Sequence, residues 1–485
     1  MAGIRNCSNC GKLMLLIGIL VAAPLMVLPF YPNEKDYFMS FAIPALVSIL
    51  MGSGSCIFGK REVSYHSNRQ DALQRSSLTV LFAWFWGISI GAAPFVLSGQ
   101  LSLIQALFES VSGWTTTGLS VMDVSQTSHI FLFHRSFMQY CGGLGFVMMM
   151  VMLVSGKHSM DLFNAEGHPD KLMPNLKKTA QMIFAIYSIF LVIGTILYTA
   201  EGMNLFDGIC HAMCALSTGG FSTKLNSIGE YNSLSAEIIT IILMLIGTTN
   251  FAVLLLLVRR RWRQLSRVSE VRFMLGLLLV CIPPAALSLA HGLHISIAEG
   301  FRHAFFDIIS ALSTTGYSTM GYGQWPPFAV GIMILMMLVG GGLGSTAGGL
   351  KLTRVYLILR MIGMNIKKRI FPRCSVEVPY FIKAQGKTRI DDELCADTVG
   401  FTGCYLLLFA AGSMLLTVTE DCGLTEAMFE FSSALGTVGL SIGLTGTGTG
   451  AGTLLVEMAG MILGRLEIFI VLIGVYSGIR MIRRK

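Results

Sequence analysis

The chain has 485 residues, of which 53% are hydrophobic and 13% are charged, and its formal net charge is +8. Soluble domains usually carry about 25% charged residues, so this composition excludes a soluble globular protein and indicates an all-α integral membrane protein. Nucleic acid is not expected as a partner, because no soluble basic domain accompanies the positive charge.

Ten hydrophobic stretches, most of them about twenty residues long, predict transmembrane helices. Glycines interrupt the eighth stretch after residue 339. In chain order the predicted spans cover 13–30, 38–57, 78–97, 130–155, 176–199, 235–258, 271–292, 327–339 continuing broken to 363, 397–419 and 453–479.

Lysine and arginine are concentrated in five places, which predicts the orientation of the chain. These places are 60–75, 157–178, 259–272, 367–389 and 480–485. By the positive-inside rule these segments face the cytoplasm, and the N- and C-termini lie on that side as well. An even number of spans is consistent with this arrangement. Membrane lipid is therefore an expected partner.

Four short segments repeat one pattern, and we call them aligned segments 1 to 4. They read FESVSGWTTTGLS (108–120), CHAMCALSTGGFS (210–222), FDIISALSTTGYS (306–318) and FEFSSALGTVGLS (429–441), and they align on Gly118, Gly220, Gly316 and Gly439. Each segment contains an amphipathic stretch too short to span the membrane. Polar residues follow, at which the chain is expected to turn back, and we call this part of each segment its return. A repeat with a fixed register indicates repeated architecture.

The predicted fold has ten transmembrane helices, of which the last eight form four pseudo-repeats around one central pore, as in K⁺ channels. Each pseudo-repeat consists of a helix, a re-entrant pore loop and a second helix. Non-helical backbone at membrane depth is tolerated where protein or water surrounds it. The predicted units are an additional helix pair in 1–76 and pore repeats in 77–156, 157–265, 266–390 (with a broken second helix) and 391–485.

The threonine and glycine residues of the aligned segments predict a selectivity filter. Glycine permits positive φ, so that successive carbonyl groups can face a central axis and replace the hydration shell of a monovalent cation. Packing of small residues between helices would explain isolated glycines but not four matching returns. The predicted filter residues are Thr116, Thr117, Gly118, Thr218, Gly219, Gly220, Thr314, Thr315, Gly316, Thr437, Val438 and Gly439.

The sequence GGGLGSTAGGLK (340–351) predicts a break in a membrane helix that could obstruct the pore. A phosphate-binding loop is excluded, because Leu350 separates the last glycine from Lys351 and no strand precedes the segment. A kink that serves only packing is the alternative. The predicted gate residues are Gly340, Gly341, Gly342, Gly344, Ser345, Thr346, Gly348, Gly349 and Lys351, together with Arg465.

Arg465 and Glu467 fall inside the last predicted span, where a charge needs a partner or a water-filled path. We expect Arg465 to face the pore; the alternative is that it extends to the membrane interface. Two weaker signals are the pair Cys7 and Cys10, whose spacing also occurs in metal and redox sites, and the glycine-rich run 445–452, which we interpret as a flexible turn.

Ionisable residues occupy one matching position in the four aligned segments: Glu109, His211, Asp307 and Glu430. The three carboxylates could concentrate cations, or they could brace the short helices against their neighbours. Bracing is favoured, because a direct ligand should lie closer to the glycine. For His211 a packing role is the default, and pH sensing is the alternative.

The chain resembles the superfamily of K⁺ transporters that contains the bacterial TrkH, TrkG and KtrB proteins and the plant HKT transporters. The resemblance covers essentially the whole chain. It rests on the aligned segments, QYCGGLGFVMM after the first, LIGTTNFAVL after the second, GGGLGSTAGGLK after the third and LGRLEIF near the end. The additional N-terminal helix pair is similar to TrkH-type members, whereas GTVGLSIGLT is closer to KtrB. The subtype is therefore left open.

The resemblance implies K⁺ uptake across the bacterial cytoplasmic (inner) membrane, with the loop at 340–351 and Arg465 as the gate. It also implies a homodimer with one pore per protomer, regulated by a separate cytosolic nucleotide-binding ring that is TrkA-like or KtrA-like. K⁺ is the expected transported ion and the only metal, at the filter, and no organic cofactor is expected. In plant relatives a serine at the first filter glycine accompanies Na⁺ transport, so four glycines here favour K⁺.

Three other functions are weighed against this one. A Na⁺-permeable or Na⁺/H⁺-coupled cation transporter of the same fold is the main alternative. A membrane enzyme would need a clustered nucleophile, base or metal set, which the sequence does not suggest. A secondary transporter of organic solutes would show two large inverted halves rather than four short repeats of one orientation.

Overall fold

The computed structural model describes residues 9–58, 69–145, 176–370 and 379–483, and in these ranges the protein is almost entirely helical. Cys7 lies outside them. The α-helices are α1 (Asn9–Ala22), α2 (Phe38–Phe58), α3 (Arg69–Leu97), α4 (Leu103–Trp114), α5 (His129–Leu144), α6 (Leu176–Ala200), α7 (Leu205–Leu216), α8 (Leu234–Thr248), α9 (Phe251–Val258), α10 (Trp262–Leu265), α11 (Ser269–Gly292), α12 (Ile297–Leu312), α13 (Pro327–Leu338), α14 (Leu352–Ile370), α15 (Asp392–Thr419), α16 (Leu424–Gly436), α17 (Ala451–Arg465) and α18 (Ile468–Arg483). Short 3₁₀ helices cover Ala23–Val27, Pro32–Tyr37 and Ser227–Tyr231.

Six helical stretches in the described ranges are long and apolar enough to cross a membrane: Asn9–Val27, Pro32–Ile57, Ser77–Leu97, Lys177–Ala200, Ser269–Gly292 and Asp392–Thr419. Two bent pairs, α8 with α9 and α17 with α18, also pass this test when each pair is taken together, which gives up to eight spans if each pair is a single span. The count of ten stays a prediction. The predicted span 130–155 continues beyond the described residues, and the span beginning at 327 consists of α13 and α14 separated by residues 339–351.

The prediction of continuous helices over 235–258 and 453–479 is wrong, because both are sharply broken. The axes of α8 and α9 differ by 118°, and those of α17 and α18 differ by 105°. Asn250 starts α9 as its N-cap, where its side chain accepts a hydrogen bond from the Ala252 amide. Glu467 has a φ of +58°, which ends the regular helix after α17. The break after aligned segment 3 was predicted, and similar breaks follow segments 2 and 4.

The four short helices that lead into the aligned segments are α4, α7, α12 and α16, and they confirm the predicted non-spanning elements. They contain 12, 12, 16 and 13 residues. At a rise of 1.5 Å per residue they are about 18 to 24 Å long, which is less than the ~30 Å thickness of the hydrocarbon core. Side-chain caps fix two of their starts, since Asn204 accepts from the Asp207 amide and Ser296 accepts from the Glu299 amide.

Large buried side chains hold these short helices in the protein interior. Phe108, Phe306 and Phe429 are completely buried at the position ten residues before each aligned glycine, and Cys210 occupies the same position in segment 2. Phe108 belongs to a core cluster that includes α1, α3 and α5, whereas Phe306 and Phe429 share a second cluster with α8, α11 and α13. Packing around these buried side chains therefore fixes the short helices within the core.

The described ranges contain one small β-hairpin and one isolated parallel bridge, between Val339 and Leu350. Strand β1 (Tyr380–Lys383) pairs antiparallel with β2 (Gly386–Arg389). The Ile382 amide donates a 3.0 Å hydrogen bond to the hydroxyl of Ser269, which joins the hairpin to the first residue of α11.

Candidate functional site

The four aligned segments share one unusual backbone conformation. In each segment the glycine and the residue two positions before it both have positive φ, although that earlier residue is a threonine. A left-handed conformation costs a non-glycine residue about 1–2 kcal/mol, so four such threonines at one register position indicate a constraint imposed by the surroundings. The φ values are 56°, 54°, 56° and 51° at Thr116, Thr218, Thr314 and Thr437, and 102°, 74°, 83° and 93° at Gly118, Gly220, Gly316 and Gly439.

The amide groups of these returns point back at the short helix that precedes them. In segment 1 the amide of Thr117 donates to the Ser112 carbonyl at 2.9 Å, and the amide of Gly118 donates to the Ser112 hydroxyl at 3.0 Å. Segment 4 repeats both bonds, from Val438 and Gly439 to Ser433, at 2.8 and 3.0 Å. When left-handed and right-handed residues alternate, successive amides face one side of the chain. The carbonyl groups therefore face the other side, away from the helix.

The four segments form a closed ring through their glycines. A Cβ atom at each glycine would collide with a backbone carbonyl oxygen of the next segment, and at the last glycine with one of segment 1. In every case this oxygen belongs to the residue just before the partner's glycine. The pairs are Gly118 with Gly219, Gly220 with Thr315, Gly316 with Val438, and Gly439 with Thr117. Only glycine satisfies both the positive φ and this close approach.

Most carbonyl groups of the ring have no protein donor. Within the described part of the chain, no hydrogen bond reaches the carbonyl oxygens of Thr117, Thr315 or Val438. The equivalent oxygen of Gly219 differs, because the side-chain amide of Gln139 donates to it at 2.5 Å. The Gln139 carbonyl also accepts from the Phe221 amide at 3.0 Å, so this side chain clamps segment 2. Gln139 is the first residue of the motif QYCGGLGFVMM, and its contact with segment 2 was not predicted from the sequence.

The carboxylate of Glu109 braces segment 1, which confirms the bracing interpretation. It accepts from the hydroxyl of Ser120 at 2.6 Å and from the Val121 amide at 2.7 Å. Its other oxygen pairs with Arg135 at 3.0 Å, and both side chains are almost fully buried. Arg135 also lies 4.0 Å from the ring centre of Phe221 and so connects segments 1 and 2. Arg135 lies inside the predicted span 130–155, and a charge at such a position indicates a buried partner. This signal was missed.

Asp307 and His211 brace their own segments in the same way. Asp307 accepts from the hydroxyl groups of Thr319 and Tyr322, both at 2.7 Å. Nε2 of His211 lies 2.9 Å from the hydroxyl of Ser222, and Nδ1 lies 2.8 Å from the Asp207 carbonyl. Both imidazole nitrogens thus have protein partners, as expected for a packing histidine.

Segment 4 is braced by two buried carboxylates that share one hydroxyl group. Glu430 accepts from Ser441 at 2.6 Å, from the Ile442 amide at 3.0 Å and from the Thr445 hydroxyl at 2.5 Å. The Thr445 hydroxyl also lies 2.9 Å from Glu457, which is fully buried. This hydroxyl has one hydrogen to donate, so it cannot give a full hydrogen bond to both carboxyl groups. The glycine-rich run 445–452 adopts bends and a turn, and its first residue, Thr445, is anchored to both carboxyl groups.

The predicted gate segment lies against the side of the ring that carries the four left-handed threonines, and we call this side the threonine end. The Thr346 hydroxyl contacts those of Thr218 and Tyr187 at 3.2 and 3.3 Å and donates to the Gly247 carbonyl at 3.0 Å. The Gly348 amide donates to the Thr314 hydroxyl at 2.9 Å. A Cβ at Gly348 would collide with the hydroxyl of Thr437 in segment 4. The segment therefore crosses beneath three of the four returns.

Backbone bonds give the segment 340–351 a defined path. The Gly340 amide donates to Leu350 at 2.9 Å, and the Leu350 amide donates to Leu338 at 3.1 Å. The Gly342 amide donates to the Thr248 carbonyl at 2.9 Å, which ties the segment to the break between α8 and α9. The ammonium group of Lys351 donates to the Ala347 carbonyl within the segment.

Arg465 contacts the gate segment from the last residue of α17. Its guanidinium group donates to the Thr346 carbonyl at 2.5 Å and to the Gly142 carbonyl at 2.7 Å, so it joins the segment to the end of α5. The prediction that Arg465 lies inside a continuous spanning helix is wrong, because α17 ends there. Glu467 is not its partner: it forms a two-bond pair with Arg354 at 2.8 and 3.1 Å.

Comparison with known proteins agrees with these features. The family model described as "TrkH: Cation transport protein" matches residues 43–282 and 288–476. The Trk system potassium uptake protein TrkG of Escherichia coli K12 is 30% identical over 97% of this chain and 96% of its own length. TrkH of Halomonas elongata is 28% identical, with 96% of each chain covered. The crystal structure of the potassium transporter TrkH from Vibrio parahaemolyticus superposes with a TM-score of 0.80 at 26% identity, covering 96% of each chain. The chain belongs to the TrkH family of cation transport proteins.

Proposed function

We propose that this protein takes up K⁺ across the bacterial inner membrane and that the ring of aligned segments is its selectivity filter. The observation that carries the proposal is the closed order of contacts between the four glycines and the neighbouring carbonyl groups. Carbonyl oxygens arranged around an axis can replace the hydration shell of a monovalent cation. The names of the relatives, which are potassium uptake proteins, support K⁺ as the ion.

The four short helices add an electrostatic contribution. Each ends three or four residues before its glycine, at Trp114, Leu216, Leu312 and Gly436. The C-terminal end of a helix carries a partial negative charge, so four such ends directed at one axis favour a cation there. The pore architecture of ten spans with four pseudo-repeats is part of this proposal, with unit boundaries at residues 76, 156, 265 and 390.

Glycine at all four ring positions favours K⁺ over the alternative, a Na⁺-permeable or Na⁺/H⁺-coupled transporter. A side chain at Gly118 would push against the Gly219 carbonyl and displace it from the ring. Displaced carbonyl groups would coordinate a dehydrated K⁺ ion less well, and discrimination against Na⁺ would fall.

The segment 340–351 and Arg465 form the proposed gate. The segment lies across the threonine end of the ring, and Arg465 fastens it there through the Thr346 carbonyl. Opening would require this hydrogen bond to break. It would also require the Thr346 hydroxyl to move away from the hydroxyl of Thr218. The free energy for this step would come from a separate cytosolic nucleotide-binding ring, TrkA-like or KtrA-like, bound to a homodimer of this chain. The basic segments and both termini would face that ring.

The function is tested by ⁸⁶Rb⁺ and ²²Na⁺ uptake into liposomes that contain the purified protein. Wild-type protein should pass Rb⁺ much faster than Na⁺. Gly118→Ser should reduce the ratio of Rb⁺ to Na⁺ uptake. Gly321→Ser is the matched control, because Gly321 follows segment 3 and a Cβ there meets nothing within 4 Å. An unchanged ion ratio in folded Gly118→Ser protein would contradict the filter assignment.

A further inference from the structure

A basic cavity lies beside the break that connects to the gate segment. It has a volume of about 380 Å³ and opens between α9, α10 and the β-hairpin. Four of its lining residues are cationic: Arg259, Arg261, Arg267 and Lys383. This volume is within the range of pockets that hold small molecules, about 300–1,000 Å³.

The three arginines of this cavity, Arg259, Arg261 and Arg267, have no ion-pair partner within the described ranges. No aspartate or glutamate is among the residues that line the cavity. Like charges gathered around a concave surface produce a strong positive potential, which attracts an anion. The cavity therefore favours a ligand that carries negative charge.

Most of the remaining wall of the cavity is apolar, and Gln264 and Gln385 are its polar members. Leu255 and Leu256 of α9 line one side, and Ile382 of the hairpin lines the other. Val258 and Trp262 follow these two leucines closely in the chain, and their side chains are 54% and 60% exposed. Exposed tryptophan is typical of the membrane–water interface. A free phosphate ion would leave the apolar wall unused, whereas a phospholipid could place its headgroup against the cations and its glycerol and acyl region against the leucines.

The cavity is connected to the gate segment through one short helix. The wall helix α9 begins at Phe251, whose amide donates to the Gly344 carbonyl of the segment at 3.4 Å. The neighbouring break residue Thr248 accepts from the Gly342 amide at 2.9 Å. On the opposite wall, the hairpin is fixed to α11 through Ile382 and Ser269. A ligand that bridges α9 and the hairpin would therefore restrain the helix to which the gate segment is bonded.

We propose that this cavity binds the phosphate headgroup of an anionic phospholipid from the cytoplasmic leaflet and that the bound lipid adjusts gating. Basic pockets at the cytoplasmic side of membrane helices suit such headgroups, and each arginine or lysine near them contributes favourable electrostatic energy. The binding site rests on its own geometry and on the predicted cytoplasmic side of residues 259–272, whereas its effect on gating rests on the proposed function.

Binding is tested by native mass spectrometry of detergent-solubilised protein titrated with dioleoyl phosphatidylglycerol. The double variant Arg259→Gln with Arg261→Gln should bind this lipid about thirty-fold more weakly than wild type. The double variant Arg260→Gln with Arg263→Gln is the matched control. It removes the same charge from the same stretch of chain, but Arg260 and Arg263 do not line the cavity. The control should bind the lipid like wild type.

Three results would overturn the site. Equal weakening in both double variants would reduce the effect to general surface charge. Equally tight binding of zwitterionic phosphatidylcholine would remove the role of the headgroup charge. Displacement of the lipid by millimolar inorganic phosphate would indicate a site for free phosphate instead.

A flux measurement distinguishes failure of this inference from failure of the proposed function. We expect ⁸⁶Rb⁺ uptake to respond to phosphatidylglycerol content in wild type and in the control, but not in the cavity variant. Identical lipid responses in all three proteins would overturn the gating effect. If the protein binds lipid but passes no Rb⁺, the proposed function fails while the lipid site stands.

Discussion

Replacing Arg465 with alanine should increase Rb⁺ flux, because this residue fastens the proposed gate. Its guanidinium group donates to the Thr346 carbonyl at 2.5 Å and to the Gly142 carbonyl at 2.7 Å. The first bond holds the gate segment, and the second anchors the arginine to the end of α5. Alanine removes both contacts together with one positive charge beneath the ring.

The magnitude follows from two contributions. A hydrogen bond that involves a charged group contributes about 1.5–3 kcal/mol, so loss of the bond to Thr346 should shift the closed-to-open ratio by roughly 10- to 150-fold. A unit charge ~6 Å from a passing ion opposes it by about 3 kcal/mol at an effective dielectric constant of 20, before screening by pore water. Glu467 does not reduce this repulsion directly, because its carboxylate is paired with Arg354. Both contributions increase flux in the variant.

The assay is ⁸⁶Rb⁺ uptake into liposomes, normalised to folded protein measured by size-exclusion chromatography. Arg465→Lys should give an intermediate flux, since lysine keeps the charge but loses the forked donor. Arg480→Ala is the control for loss of charge, because Arg480 is exposed on α18. If wild type, Arg465→Ala and Arg465→Lys all show equal flux per folded protein, Arg465 is neither a latch nor a pore charge.

Three further predictions concern the ring and its supports. Glu109→Gln should lower the thermal unfolding temperature far more than Glu457→Gln does, because it leaves buried Arg135 without its carboxylate at a cost of about 3–5 kcal/mol, whereas Glu457 forms no ion pair within the described ranges; similar unfolding temperatures for the two variants would contradict the bracing role of the Glu109–Arg135 pair. Gly348→Ala should raise basal Rb⁺ uptake, since the new methyl group displaces the gate segment from segment 4; unchanged uptake by folded protein would count against the segment as a gate. Gln139→Leu should lower the Rb⁺/Na⁺ uptake ratio by releasing segment 2, and a wild-type ratio would show that the clamp is dispensable.

The order of elements was predictable from the sequence because its signals are local. The lengths of the hydrophobic stretches predicted most of the helices. The repeated pattern around Gly118 and Gly316 predicted the short helices and the returns that follow them. The breaks at Asn250 and Glu467 were missed, since each lies within a run whose average hydrophobicity is that of a continuous span. A single capping side chain or one left-handed residue changes such an average very little.

The bonds that hold the ring were not predictable, because they join residues far apart in the chain. Gln139 bonds to Gly219 across 80 positions, and Arg465 bonds to Thr346 across 119. The matching carboxylates also differ in their partners. Glu109 has an arginine, whereas Glu430 shares a hydroxyl with a second acid. Carboxylates at the same position of two aligned segments therefore have different partners. These partners come from distant parts of the chain, so only the folded structure identifies them.

The most direct test of the central claim is the position of a bound cation relative to the ring. Crystals of this protein grown with Tl⁺, which resembles K⁺ in size and charge and scatters anomalously, would locate the ion without interpretation of solvent density. The account predicts anomalous peaks on the axis enclosed by the carbonyl groups of Thr117, Thr315 and Val438. Peaks confined to other parts of the protein, or no peak in the ring for a preparation that passes Tl⁺ in liposomes, would contradict it.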